Sequence, residues 1–290
     1  MALFQIGNAQ ITIQIDSMGA ELKSLKKTDT GMEYMWNGNP AFWNRTSPVL
    51  FPLVGGLRGG EYVHEHKKYP MSQHGFARDM EFTLKSQTNR EIWFRLESNE
   101  ETFKKYPYAF ILELGYELQD NEVIVKWKVK NPSEKRLDFS IGGHPAFCCP
   151  IREGAKQSDY RIWFDAKDKV ISSLIKDGLV SGEKMEYPLE NGALWITEHL
   201  FDGDALVIEH HQAHKVALVQ PDGSHYLTMS FDAPLFGIWS PPGRRAPFIC
   251  IEPWYGRCDA ADFTGTWSER EWGQHLEPGA RFEASYRITV

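Results

Sequence analysis

Polar and apolar residues alternate with a period of two along most of the chain, which predicts β-strands that each bury one face. "QITIQID" at 10–16 places three isoleucines on one side, and "EIWFRLES" at 91–98 is a second run of strand-forming residues. Helical periodicity is limited to short turns near 259–263 and 268–272. Closely spaced strands without intervening helices predict an all-β sandwich or barrel.

The segment 111–131 predicts a β-hairpin with its turn at 119–121. Further short strand candidates, bounded by Gly, Pro, Asp or Asn, continue to the closing "RFEASYRITV". No internal repeat or low-complexity linker divides the chain, so we expect one β domain spanning 1–290. In the second strand of the hairpin we expect the apolar side chains to face inward and the lysines outward: Val123, Val125, Trp127 and Val129 against Lys126, Lys128 and Lys130.

The composition is that of a soluble globular protein, with 42% hydrophobic and 24% charged residues. The net charge is -7 and no block of Lys or Arg could follow a phosphate backbone, so nucleic acid is not an expected partner. The N-terminus lacks a basic segment followed by an apolar one, and no apolar run reaches membrane-spanning length. We therefore expect a cytoplasmic protein that does not associate with membranes.

Cysteine and histidine spacing argues against a metal site. Adjacent cysteines rarely pair with each other, and the chain has no CxxC motif, so neither a disulfide framework nor a zinc site is expected from Cys148, Cys149, Cys250 and Cys258. Buried thiols in a reducing compartment are the favoured interpretation. In "EHHQAH", His210 and His214 would suit a metal on a helix, but the segment is expected to be a strand entering a turn.

Three stretches interrupt the alternation with Gly, Pro and ionisable residues: "QHGFAR" (73–78), "IGGHPAF" (141–147) and "CIEPWYGRCDAAD" (250–262). Such loops and strand ends are where functional residues concentrate on a rigid scaffold. Imidazoles exchange protons near neutral pH, a carboxylate can act as a base, and arginine binds oxygens. The stretches could therefore bind a polar, uncharged ligand and move its protons through His74, Arg78, His144 and Glu252.

Each of these residues also has a purely structural interpretation. His74 beside glycine could be a turn residue, and the glycines before His144 could permit a β-bulge. Glu252 ends the apolar run "PFICIE", so its carboxylate lies either at a solvated strand end or in a cleft that raises its pKa. The glycine-rich "GGLRGG" at 55–60 lacks the Lys-Ser/Thr ending of a phosphate loop and is expected to be a flexible turn.

In this order, the three stretches resemble the aldose 1-epimerase (galactose mutarotase) family, and more closely its LacX-like branch. The resemblance extends from the first strand to the last and includes "RTSPVLFPLVGGL" (45–57), "QHGFARDMEF" (73–82), "IGGHPAF" (141–147), "LFDGDALVIE" (200–209) and "CIEPWYGRCD" (250–259). It implies a β-supersandwich of two large antiparallel sheets, with a sugar site in a groove on one face. The implied activity is that of an isomerase that needs no cofactor.

The resemblance also implies roles for individual residues. Glu252 would take the proton of the anomeric hydroxyl while His144 protonates the ring oxygen; the ring opens, C1–C2 rotates, and reclosure gives the other anomer. His74 would stabilise developing charge, and Asp204 would hold sugar hydroxyls, with Asp202 as the neighbouring alternative. Both half-reactions are proton transfers between oxygens, which an acid and a base suffice to catalyse.

One departure concerns arginine. Relatives commonly carry arginine at the position of Gly56, which can contact substrate; Arg58, two positions later, either replaces it or points away. Arg45 and Arg78 remain as candidate substrate-binding arginines beside Arg58. In related hexose-6-phosphate epimerases, arginines at similar motif positions hold the phosphate. The leading hypothesis is thus a 1-epimerase of a free hexose such as galactose or glucose. The alternatives are a hexose 6-phosphate substrate, or a carbohydrate-binding or sensing protein with little turnover.

Two further points complete the expectations. A glycosidase would need two carboxylates flanking the scissile bond, and only Glu252 is placed persuasively for that chemistry. The expected partner is a small sugar, either a free hexose or a hexose phosphate, and the chain is expected to be a monomer or a homodimer.

Overall fold

Strands dominate the architecture. The computed structural model describes residues 2–290, and within them the chain forms Leu3–Gly7 (β1), Ile11–Asp16 (β2), Glu21–Lys27 (β3), Val49–Leu50 (β4), Glu61–His64 (β5), Lys67–Pro70 (β6), Thr83–Gln87 (β7), Glu91–Glu97 (β8), Ile111–Gln119 (β9), Glu122–Lys130 (β10), Leu137–Phe139 (β11), Ile141–Gly143 (β12), Ala146–Cys148 (β13), Arg161–Phe164 (β14), Lys169–Lys176 (β15), Leu179–Pro188 (β16), Ala193–Trp195 (β17), Leu206–Ile208 (β18), Lys215–Val219 (β19), His225–Phe231 (β20), Leu235–Trp239 (β21), Phe248–Tyr255 (β22), Gln274–Leu276 (β23) and Arg281–Thr289 (β24).

Two large antiparallel sheets build the molecule. One has nine strands in the order β17-β14-β19-β20-β24-β10-β9-β8-β7, and the other has eight in the order β16-β15-β18-β21-β22-β12-β4, with β13 also paired to β22. Smaller sheets comprise β1-β2-β3, β5-β6 and β11-β23. Inward side chains of both large sheets, among them Leu114, Trp127, Ile238 and Ile251, share one hydrophobic core. These stacked sheets confirm the predicted all-β supersandwich.

The predicted hairpin shows why alternation works as a signal. Gln119 pairs with Glu122, so the turn is one residue shorter than the predicted 119–121. The apolar side chains of β10 are buried as predicted: Val123, Val125, Trp127 and Val129. Its lysines face outward, where Lys126 pairs with Glu117 and the ammonium of Lys128 lies 4.6 Å from the Trp93 ring centre.

The helical predictions were partly wrong. The segment 259–263 is not helical, and 268–272 overlaps only the 3-10 turn Trp267–Glu269. The α-helix Glu100–Lys105 (α1) was missed, although Asn99 caps it by accepting hydrogen bonds from the N–H groups of Glu101 and Thr102. Further 3-10 turns are Arg58–Gly60, Ala77–Asp79 and Gln157–Asp159. None of the helices within residues 2–290 has the length and apolar character needed to cross a membrane.

The stretch "QHGFAR" is held tightly against the end of β4. Phe51 accepts backbone hydrogen bonds from Phe76 and Ala77 at 3.0 and 3.1 Å. Gly75 has φ +71, and a Cβ there would lie 2.3 Å from the Phe51 carbonyl oxygen. Phe76 is buried in the core. Only glycine allows this close approach. Gly75 therefore fixes the backbone position of the neighbouring His74.

We expect Gly75→Ala to lower the free energy of unfolding by about 2 kcal/mol or more, because the methyl group both clashes and forces a left-handed backbone. Gly31→Ala is a matched control: Gly31 has φ +67 but nothing within 4 Å of its would-be Cβ. Its expected loss is about 1 kcal/mol, the backbone contribution alone. Urea unfolding of both variants measures the difference, and equal losses would contradict the role of the close approach.

Candidate functional site

Strand β22 carries Glu252 in its middle. Ile249 and Ile251 point into the core between the sheets, so Cys250, Glu252 and Trp254 occupy the other face of the same strand. The strand continues through Pro253 to Tyr255, and Glu252 pairs with Gly237 of β21. The expectation that Glu252 ends its strand is therefore wrong. Its side chain is buried, with 1% of the residue exposed.

A cavity of about 380 Å³ opens over this face of the eight-stranded sheet. It brings together most of the side chains predicted from sequence, including both histidines and two of the three arginines. Its walls also contain three tryptophans that the sequence reasoning did not single out. The principal lining residues are Trp43, Arg45, His74, Arg78, His144, Asp204, Trp239, Glu252 and Trp254.

His144 and Glu252 form the floor pair of the cavity. His144 Nε2 lies 3.3 Å from Glu252 Oε2. His144 directly follows β12, and its backbone N–H donates to the Pro48 carbonyl. Gly142 is not part of a bulge: it sits in regular pairing with Trp254, and a Cβ there would lie 2.6 Å from the indole Cδ1. Gly142 thus allows β12 to pack closely against the indole ring of Trp254.

Burial shifts the pKa values of the two groups in opposite directions. The pKa of the Glu252 carboxyl is raised well above its usual range, first by burial and then by the nearby Asp204. The Trp254 side chain opposes this shift of the pKa. The pKa of His144 is lowered to about 3, by burial and by the positive charges of Arg78 and Arg45. Burial therefore favours a neutral imidazole on His144 beside a protonated carboxyl on Glu252.

Two atoms of the pair are poorly satisfied. His144 Nδ1 and Glu252 Oε2 are buried and find no hydrogen-bond partner among residues 2–290. Buried polar atoms normally have partners, and unsatisfied ones concentrate at sites that serve another purpose. The pair is therefore ready to accept a ligand that can donate or share protons.

His74 is held as a specific neutral tautomer. The Gly55 N–H donates to His74 Nδ1 at 3.1 Å, so the ring proton of neutral His74 resides on Nε2. Burial, His144 and Arg78 lower the pKa of His74 well below its usual value. The two imidazole rings meet edge to face with centres 5.6 Å apart. His74 can thus offer one N–H donor beside the floor pair.

The three candidate arginines have different placements. Arg45 lines the cavity and pairs with Asp79 at 2.8 Å. Arg78 also faces the cavity, and burial lowers its pKa to about 10. Arg58 is turned away: it is exposed, and its Nη1 donates to the Phe263 carbonyl at 2.9 Å. The expectation that Arg58 contacts substrate receives no support from this placement.

The two neighbouring aspartates are clearly separated. Asp204 lines the cavity, and its Oδ1 accepts a hydrogen bond from the Ala205 N–H at 2.8 Å. Asp202 is exposed and bonds His199 Nδ1 at 2.7 Å, next to a different cavity. Asp204 is thus the one of the two that can reach a ligand in the site.

Tryptophans enclose the imidazole of His144. The Trp43 ring stacks on it with centres 4.7 Å apart and an interplanar angle of 28°. Trp239 meets the same ring edge-on at 5.4 Å. The sequence offered only a faint signal for Trp43, which lies in the aromatic loop segment "WNGNPAFWN" at 36–44. These flat apolar walls keep the imidazole in one orientation and can stack on the apolar face of a sugar.

The remaining sequence candidates lie elsewhere. The segment 209–214 follows β18 and forms bends, so the predicted strand ends just before it; His210 packs on Trp272 and His214 bonds the Phe231 carbonyl. All four cysteines are free: Cys148 is half-buried, and the other three are buried.

The lowered pKa of His144 has a measurable consequence for stability. An unfolded histidine, with a pKa of about 6.5, gains a proton on acidification that the native ring does not take up until about pH 3. Stability is therefore fully present above pH 6.5 and falls as the pH is lowered. Between pH 7 and 5, we expect wild type to lose about 2 kcal/mol more than His144→Gln. Urea unfolding at both pH values tests this, and equal losses would contradict a neutral buried imidazole.

Comparisons with known proteins identify the family of the whole chain. A family model described as aldose 1-epimerase matches residues 2–289. The plasmid form of protein LacX from Lactococcus lactis subsp. lactis is 30% identical, over 99% of this chain and 98% of LacX. A galactose mutarotase related enzyme from Lactobacillus acidophilus is 34% identical with a TM-score of 0.94, covering 99% of this chain and 97% of that one. A galactose mutarotase-like protein from Lactobacillus casei is 31% identical with a TM-score of 0.92, covering 99% of both chains. The chain belongs to the aldose 1-epimerase family.

Proposed function

We propose that the protein is an aldose 1-epimerase that interconverts the α and β anomers of a hexose. The observation that carries this proposal is the buried Glu252–His144 pair, 3.3 Å apart at the floor of a cavity of about 380 Å³. That volume falls within the range of about 300–1,000 Å³ typical of small-ligand sites. A carboxyl and an imidazole in contact supply the two proton-transfer groups that the reaction needs.

The pair carries one proton through the proposed cycle. With that proton on His144, the Glu252 carboxylate takes the O1–H proton while the imidazolium protonates the ring oxygen O5, and the C1–O5 bond breaks. The open-chain aldehyde then faces a protonated carboxyl and a neutral imidazole. After rotation about C1–C2, O5 attacks the other face of C1, His144 recovers its proton from O5, and Glu252 returns one to O1. No proton is exchanged with solvent.

The burial of both groups supports this assignment. Its effects on the two pKa values favour the carboxyl-protonated, imidazole-neutral arrangement, which is that of the ring-opened state. The raised pKa of Glu252 gives its carboxylate a higher proton affinity, as a general base that works near neutral pH needs. The cavity thus lowers the cost of moving the proton from sugar oxygen to carboxylate.

Other lining groups complete the proposed substrate site. The Nε2–H of His74 can donate to an oxygen near the floor pair as negative charge develops there. Asp204 can accept from sugar hydroxyls, and Arg78 can donate to hydroxyl oxygens. Trp43 and Trp239 provide apolar faces on which the pyranose ring can lie.

Replacing the base tests the proposal directly. We expect Glu252→Gln to reduce the enzymatic mutarotation rate at least about 100-fold, because the amide has the shape of the carboxyl but cannot take the proton. Polarimetry of freshly dissolved α-glucose and α-galactose measures the rate above the spontaneous one. Equal rates for wild type and Glu252→Gln would contradict the proposed base.

Asp202→Asn is a matched control, because it changes an acidic side chain of the neighbouring loop outside the cavity. Its rate is expected to equal that of wild type. Calorimetric binding of glucose by a wild-type protein that does not accelerate mutarotation would replace the enzyme proposal with a sugar-binding or sensing protein.

A hexose 6-phosphate is the second candidate substrate. Arg45 and Arg78 line the same cavity, and Arg78 Nε is buried without a hydrogen-bond partner in the described chain. Guanidinium groups bind phosphate well, and a phosphate dianion would compete with Asp79, which lies 2.8 Å from Arg45 Nη2 and 3.8 Å from Arg78 Nε.

If the phosphate is bound, glucose 6-phosphate should bind at least about tenfold more tightly than glucose, and Arg78→Gln should remove the preference. Competitive calorimetry with the two sugars measures it. Arg58→Gln is the matched control, since Arg58 is turned to the Phe263 carbonyl and should leave the preference unchanged. Equal affinities of wild type for the two sugars would exclude the phosphosugar and leave the free hexose.

A further inference from the structure

A fully buried thiol lies directly beside the floor pair. Cys250 is two residues before Glu252 on the same face of β22, and none of its surface is exposed. The proposed proton transfers make no use of it. Its Sγ, one imidazole nitrogen of His144 and one carboxylate oxygen of Glu252 all lie within 4.8 Å of one another.

These three atoms have the chemistry of a zinc site. Thiolate, imidazole and carboxylate are the ordinary ligands of Zn²⁺, at about 2.0–2.3 Å. Two such ligands of a tetrahedral ion lie about 3.3–3.7 Å apart, and His144 Nε2 and Glu252 Oε2 are already 3.3 Å apart. Cys250 Sγ, which lies within 4.8 Å of both groups, completes the coordination after a movement of up to about 1 Å. The adjoining cavity leaves a fourth position open to water or to a sugar hydroxyl, which gives a tetrahedral ion.

The unsatisfied atoms of the floor pair also favour a metal site. Glu252 Oε2 and His144 Nδ1 are buried without a hydrogen-bond partner in the described part of the chain, although both residues are more than nine-tenths buried. A metal ion on Glu252 Oε2 would satisfy that oxygen. A thiolate and a carboxylate also neutralise a dication, so the ligated ion adds no net charge on the side of the site where Cys250 packs with Ala146 and Phe248.

We propose that Cys250, His144 and Glu252 form an inhibitory binding site for a zinc-type divalent ion. Binding releases the Cys250 thiol proton, and any proton on Glu252, to solvent, and it forms one bond each to sulfur, nitrogen and oxygen. The ion occupies the lone pairs through which Glu252 and His144 would exchange protons with the sugar. Metal binding and turnover are therefore mutually exclusive.

The first test uses Co²⁺ as a spectroscopic probe and does not depend on the proposed function. Cobalt bound to a thiolate in a tetrahedral site gives a sulfur-to-metal charge-transfer band in the near ultraviolet, together with intense visible bands. We expect wild type to show both and Cys250→Ala to lack the near-ultraviolet band. Cys250→Ser, which keeps the size of the side chain, should also lack it. A wild-type protein without that band, or a Cys250→Ala protein that retains it, would overturn the proposed site.

The second test measures inhibition and rests on the proposed function. Zn²⁺ should abolish the mutarotase activity of wild type, and EDTA should restore it. Relative to each protein's own metal-free rate, Cys250→Ala should need at least about tenfold more Zn²⁺ for half inhibition. Unchanged zinc sensitivity of Cys250→Ala would overturn the inhibitory role. If wild type has no activity at all, the function proposal fails while the cobalt spectrum still decides the metal site.

Cys258→Ser is the matched control. Cys258 is also a buried thiol and lines the same cavity, but its Sγ does not belong to the cluster of ligand atoms formed by His144, Cys250 and Glu252. We expect it to keep both the cobalt band and the wild-type zinc affinity measured by competition with a chromophoric chelator. Loss of the band in Cys258→Ser and its retention in Cys250→Ala would place the metal on the other thiol and contradict the proposal.

Discussion

The burial of one carboxyl group, that of Glu252, is the constraint on which the site depends. Removing a carboxylate from water costs several kcal/mol unless it is paired or protonated. Its nearest described ionisable partner at Oε2 is an imidazole that burial also keeps neutral. The apolar residues Ile249 and Ile251 on the opposite face of β22 hold the strand in the core. The apolar packing of one face of β22 thus offsets the cost of burying the Glu252 carboxyl on its other face.

The strand order explains how distant residues reach that carboxyl. In the eight-stranded sheet, β18, β21, β22, β12 and β4 are consecutive neighbours. Asp204 precedes the first of these strands, Trp239 ends the second, Glu252 lies on the third and His144 follows the fourth. His74 arrives from outside the sheet, because Gly75 bridges to Phe51 immediately after β4. Neighbouring strands of one hydrogen-bonded sheet thus position Asp204, Trp239, Glu252 and His144, and the 73–78 segment adds His74.

Patterning predicts the parts of this fold that follow a local rule. Alternation identified the buried face of β10 because each of its inward residues is apolar, and it placed the predicted hairpin within one residue. It missed α1, which is six residues long and whose only strong sequence signal is the Asn99 cap. Residue types and resemblance together named His74, His144, Glu252 and Asp204. No local pattern could show that Trp43 stacks on an imidazole a hundred positions away.

The Arg58 placement illustrates the same limit. Its position in the chain, two residues after Gly56, made it a candidate, but side-chain direction depends on partners that lie far away in sequence. Its backbone N–H donates to Asp259 and its guanidinium to the Phe263 carbonyl, both about two hundred residues distant. Arg78 faces the cavity because Phe76 anchors the other side of its short turn in the core. The sequence named both arginines as candidates, and their contacts in the folded chain separate them.

The electrostatics of the cavity set proton transfer and cation binding against each other. Burial that raises the proton affinity of Glu252 also raises its affinity for any other cation, and a neutral imidazole is the form of histidine that binds metals. Arg45 and Arg78 act in the opposite sense: the positive field that lowers the pKa of His144 also repels a dication. Asp79 lies 2.8 Å from Arg45 Nη2 and 3.8 Å from Arg78 Nε and partly compensates both, and of the two arginines Arg78 lowers the pKa of His144 more. Arg78 therefore has a second physical effect besides its proposed contact with a sugar, since its charge weakens cation binding at the floor of the site.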